Sequence, residues 1–89
     1  MAVLVTAEVP GQTPEGYDGM LAGLGPLIRA APGFVMHGAY SDGGVWRVIE
    51  VWESKQAATD FFAKYVHPNL PPGVKPQREM HMLHSCVRP

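Results

Sequence analysis

The hydrophobic positions fall into blocks of two different periods. Met1–Val9 alternates, is rich in Val and Leu, and stops at Pro10-Gly11, so it predicts a strand. Thr13-Pro14-Glu15 then marks a helix start: threonine caps, proline fits the first helical position, and an acid sits in the first turn. Tyr17, Met20, Leu21, Leu24 and Ile28 recur at three- and four-residue spacing and form one apolar stripe. Gly16, Gly19, Gly23 and Gly25 weaken this helix and leave room for a cavity beneath it, and Pro26 is expected to kink or split it near Gly25. After Pro32-Gly33, the runs Phe34–Tyr40 and Val45–Glu53 predict a hairpin turning on Asp42-Gly43, with Tyr40 opposite Val45. That register places Phe34, Met36, Tyr40, Val45, Ile49 and Val51 on one face. His37, Trp46, Val48, Glu50 and Trp52 share the other.

Ser54 caps a second helix from Lys55 to about Val66, with Ala58, Phe61, Phe62 and Tyr65 as its stripe. A stiff loop, His67–Gly73, follows, and Lys75–Val87 predicts a last strand. The order is β-α-β-β-α-β, a ferredoxin-like α+β fold filling residues 1–89 as one domain. Right-handed crossovers put both helices on one sheet face. The face with Trp46 and Trp52 is then expected to be covered by a second copy, as a homodimer.

Composition narrows the partners. The 89 residues carry a net charge of −1 with no basic run, which favours neither nucleic acid nor an anionic membrane. At 46% apolar, the chain has more hydrophobic surface than so small a core hides, which again points to self-association. Cys86 is the one cysteine, so no internal disulfide forms and a reducing compartment, the cytoplasm, is expected. Ala2–Val5 is too short for a signal segment, and no stretch approaches the ~20 apolar residues that span a bilayer.

Candidate chemistry is sparse. His81 and His84 point to opposite sides of a strand, and His84 with Cys86 makes only two ligands, so no metal site is expected. His67, beside Tyr65 at the exit of the second helix, suits general acid–base work. It serves equally as a cap on the last helical carbonyls. His37 and Glu50 share a sheet face, either as a polar contact in the dimer interface or as a catalytic dyad. Arg47 and Arg78 would clamp an anion or simply end their strands in water.

Ala31-Pro32-Gly33-Phe34, Val48-Ile49-Glu50-Val51-Trp52-Glu53-Ser54, and then Ala58, Phe61 and Phe62 resemble the dimeric α+β barrel superfamily, within it the antibiotic-biosynthesis-monooxygenase-like (ABM) group. The resemblance implies a four-stranded antiparallel sheet per subunit and a pocket between sheet and helices. It implies a cofactor-independent monooxygenase acting on an aromatic or polyketide-like substrate, or else a non-catalytic ligand-binding barrel of the same shape. His67 and Tyr65 would be catalytic at the pocket mouth, with Phe34, Met36, Tyr40, Phe61 and Trp52 binding the substrate. The residues typical of haem-degrading members are replaced at Val9 and Phe61, and those of the cyclase members at Lys64 and Leu70. No cofactor is therefore expected.

Overall fold

The computed structural model describes residues 1–89, in the order β1 (Val3–Glu8), α1 (Pro14–Arg29), β2 (Phe34–Asp42), β3 (Val45–Trp52), α2 (Lys55–Phe61) and β4 (Gln77–Met82). The strands form one sheet in the order β2-β3-β1-β4, antiparallel at every junction. This is the ferredoxin-like α+β arrangement, with both helices against one face. No helix is long and apolar enough to cross a membrane.

Local chemistry fixes the helix starts. The Thr13 hydroxyl accepts from the Gly16 amide at 3.0 Å, with Pro14 in the first turn. The Ser54 hydroxyl accepts from the Ala57 amide at 3.1 Å. Gly33 has φ +81°, and a Cβ there would stand 2.9 Å from that of Ala57, so glycine lets β2 enter close beneath α2. Pro26 does not split α1, which runs on to Arg29. It lies in the exposed last turn, where water can take the carbonyl that its missing N–H leaves free. α2 is shorter than its apolar stripe: at Phe62 it widens into a π turn, Phe62–Val66, and then a 3₁₀ turn, His67–Asn69. β4 is shorter too, ending at Met82.

The hairpin turns on Gly43-Gly44, at φ +58° and +81°, rather than on Asp42-Gly43. Asp42 thus pairs with Val45, and Tyr40 with Arg47. The slip is two residues, an even number, so the division into faces survives. Phe34 is the exception. A bulge between Phe34 and Met36 sets Phe34 opposite Trp52 and turns it to that residue's face.

The face expected to meet a second copy is the one the chain covers with its own helices. Tyr17 of α1 lies on Trp46, ring centroids 5.0 Å apart, and Phe61 of α2 lies on Trp52 at 5.5 Å. The reason lies in β1. Val3 and Val5 pair with Trp52 and Glu50 and are 0% and 2% exposed, so they extend the tryptophan face into the core. Leu4, Thr6 and Glu8 extend the other face, where Met36 and Tyr40 stand exposed. Val3, Val5, Ile28, Trp52, Ala58 and Phe61 make the buried core. Phe34, Trp52, Phe61 and Tyr65 continue it as a chain of ring contacts at 5.1–5.5 Å, each worth about 0.5–1.5 kcal/mol beyond its buried area.

Candidate active site

Away from the packed α2 end, α1 bridges the sheet without filling the space beneath it. A cavity of about 110 Å³ remains, open on one side, and 14 of its 19 lining residues are hydrophobic. Met20, Leu21, Leu24 and Ile28 form its roof, and Val5, Ala7, Val9 and Val48 form its floor. Gly19 and Gly23 do not create it; both lie on the solvent side of α1. For scale, a cavity of ~150 Å³ encloses one benzene ring.

The polar groups of this cavity are connected. Tyr17 on α1, His37 on β2 and Glu50 on β3 all line it. The Tyr17 hydroxyl lies 2.6 Å from His37 Nε2, and His37 Nδ1 lies 2.7 Å from Glu50 Oε2. Trp52 donates its indole N–H to Glu50 Oε1 at 2.9 Å. Cross-strand pairing explains the alignment: His37 and Glu50 are direct partners in the β2–β3 register, so their side chains leave the same face together. The Tyr17 and His37 rings lie within 9° of parallel with centroids 5.9 Å apart, and the phenol hydroxyl meets the imidazole nitrogen.

An ionised Glu50 can only accept, so the arrangement places the proton on His37 Nδ1 and makes Nε2 the acceptor for Tyr17. Burial, then the negative charges of Glu50 and Asp18, push the Tyr17 pKa above its usual value. Tyr17 therefore stays a neutral phenol at neutral pH, donating to His37 and keeping oxygen lone pairs for a molecule in the cavity. Arg78, on β4, forms the opposite wall with its guanidinium 3.9 Å from the centre of the Phe62 ring. Burial lowers its pKa from the usual arginine value, an effect that Glu50 partly offsets.

The residues expected at the site are dispersed. Phe61 lines the cavity, and Trp52 is fully buried beneath it as the anchor of Glu50. Phe34 packs edge-on against Trp52 in the core. Met36 and Tyr40 are on the outer face, 37% and 48% exposed, because the helices cover the opposite side of their strand. Tyr65 packs on Phe61 and His67 on Phe62, and neither lines the cavity. Their neighbours Phe62, Val66 and Leu70 do line it, so the chain stays at the cavity while the Tyr65 and His67 side chains point elsewhere. His37 and Glu50 form a dyad in the cavity, not an interface contact. Tyr17 had been legible only as part of a stripe; its signal is the lone polar tip among Met20, Leu21, Leu24 and Ile28.

No three His, Cys, Asp or Glu side chains converge into a metal-holding group. His37, the one histidine of the cavity, has both ring nitrogens engaged and offers none as an axial ligand to haem.

No protein-family model and no curated protein matches the sequence. Solved structures do match its shape. SnoaB, a cofactor-independent oxygenase from Streptomyces nogalater, is 15% identical with a TM-score of 0.69, over 97% of this chain and 96% of that one. The haem degrader MhuD from Mycobacterium tuberculosis is 16% identical with a TM-score of 0.63, over 99% and 100%. A protein of unknown function from Nitrosomonas europaea is 17% identical with a TM-score of 0.65, over 99% and 92%. The chain thus has the fold of the ABM-type α+β barrel proteins that its sequence resembles.

Proposed function

We propose that the protein is a cofactor-independent monooxygenase acting on an electron-rich phenol, one aromatic ring of which enters the cavity. The observation that carries this reading is the Tyr17–His37–Glu50 chain on the wall of an otherwise apolar pocket. A phenol bound with its hydroxyl on the Tyr17 oxygen gives up its proton as Tyr17 passes its own to His37 Nε2. Glu50 stabilises the imidazolium so formed, and Trp52 holds Glu50 in place. The phenolate then gives one electron to dioxygen, and the radical pair joins at the ring carbon para to the oxygen. Loss of that carbon's proton with cleavage of the O–O bond leaves a quinone carbonyl and hydroxide. Hydroxide takes the proton stored on His37, so phenol and dioxygen become quinone and water with no external reductant. The apolar walls keep water from the phenolate and the peroxide. The oxygenase fold of SnoaB supports the reading without carrying it.

The test is 1-naphthol under ¹⁸O₂. One labelled oxygen in 1,4-naphthoquinone and the other in water is the expected result; hydrogen peroxide in place of labelled quinone overturns the reading.

The protein works as a homodimer in this proposal, through the outer sheet face rather than the one carrying Trp46. That face presents Met36, Tyr40, Ile49 and Val51 with no helix over them.

A further inference from the structure

Arg78 stands apart from the chain's other arrangements of charge. It is half-buried in the wall of an apolar cavity, yet it takes part in none of the ion pairs, which join His37 to Glu50, Arg47 to Glu8 and Asp42, His81 to Glu79, and Arg88 to Glu53. Glu50, the carboxylate of that cavity, makes neither an ion pair nor a hydrogen bond with it; its oxygens are bonded to His37 and Trp52, and it acts on Arg78 only through its charge. What supports the guanidinium is the face of Phe62, which leaves its N–H fork free at the edges. A second donor is also unmatched: the Trp46 indole N–H is buried without any acceptor. A half-buried cation with no ion-pair partner and a buried N–H with no acceptor both leave donors that an incoming group can meet.

We infer that Arg78 is a docking point for an anionic substituent, a carboxylate, on the aromatic ring whose hydroxyl meets Tyr17. The register sets the geometry. Arg78 is the β4 partner of Ala7 and Glu50 is the β3 partner of Val5, so the two charges flank β1 from opposite sides. They stand two strand spacings apart, about 10 Å between strand axes. An acid group set across the aromatic skeleton from an ionisable hydroxyl, but not para to it, reaches Arg78 while the hydroxyl meets Tyr17, and leaves the para carbon its proton for the oxygenation. Arg78 offers the bidentate fork that suits a carboxylate, while the Trp46 indole packs on Tyr17 at the hydroxyl end. The substrate class narrows to hydroxyaryl carboxylates. Arg78 is a specificity residue here, while the proton transfer belongs to Tyr17 and His37.

The inference rests on the proposed function for the position of the ring, and binding separates the two. The probes are 3-hydroxybenzoate and its uncharged methyl ester, titrated against tryptophan fluorescence in the wild type, Arg78→Met and Arg78→Lys. The wild type is expected to bind the acid about ten- to hundredfold more tightly than the ester. Arg78→Met should erase the preference for acid over ester, and Arg78→Lys should keep part of it. Equal affinities in the wild type, a preference that survives Arg78→Met, or no binding of either probe overturns the inference. Thermal melts confirm that the variants are folded. Turnover of 1-naphthol, which has no carboxylate, tests the oxygenase independently: acid preference without turnover removes that activity and keeps the clamp, and the reverse does the opposite.

Discussion

The inner and outer faces of the sheet come from the same strands one residue out of step, and they use their charged groups in opposite ways. On the inner face, His37 and Glu50 have side chains only 17% and 14% exposed, and each is tied to an aromatic partner, Tyr17 or Trp52. On the outer face, Arg47 meets Glu8 at 2.8 Å and approaches Asp42 at 3.8 Å; all three side chains reach water, though the Arg47 Nε is itself buried. The inner pair is directional and held from behind. The outer charges are screened, and their neighbours Met36, Tyr40 and Ile49 are apolar surface still awaiting a cover. Pairing alone does not make a site; it takes the aromatic frame that excludes water from one face.

Removing that frame gives the largest effect on stability. Trp52→Ala should cost about 3–5 kcal/mol, since a fully buried indole leaves a void among Val3, Phe34 and Phe61. Chemical denaturation measures it, and a loss under about 1 kcal/mol would show that the core collapses freely around the gap. Charging the outer face should have a different signature. Ile49→Glu is expected to weaken the proposed dimer at least a hundredfold by light scattering while barely changing the far-UV spectrum. An unchanged mass would mean that this face is not the interface.

The effect of alkali is smaller. Because the folded-state pKa of Tyr17 is raised, the unfolded chain loses the phenolic proton first as pH rises past about 10. Stability should therefore decline above pH 10, and Tyr17→Phe should flatten part of that decline in pH-dependent melts. The smallest change is Arg47→Ala, expected at about 0.2–1 kcal/mol because the pair it breaks is largely solvated. A larger cost would mean that the outer face has the inner one's rigidity.

Much of the fold was legible because its signals are local. The caps at Thr13 and Ser54 and the alternation of β2 and β3 each act over a few residues, and each is present in the structure. The parity of the hairpin survived a wrong turn centre because the slip was even. Which face turns inward was not legible from β2 and β3 alone, since both faces carry large apolar groups. The deciding contrast sits in β1, with Val3 and Val5 against Thr6 and Glu8. The pairing of His37 with Glu50 was readable as a shared face, but Tyr17 joins them from twenty residues away in sequence. Only the packing of α1 across the sheet reveals that third member. His67 was singled out as the histidine nearest the α2 aromatics in sequence; its ring packs on Phe62, while its neighbours Val66 and Leu70 line the cavity.

The central claim is that the acid–base function lies on the inner face, in the chain from Tyr17 through His37 to Glu50. Oxygen consumption with 1-naphthol by the wild type, His37→Ala, Tyr17→Phe and His67→Ala tests it most directly. His37→Ala should lose about 10²–10⁴-fold in rate. Tyr17→Phe should fall in the same direction, while His67→Ala stays near wild type and all variants remain folded. Full activity in His37→Ala, or a loss confined to His67→Ala, would contradict the account.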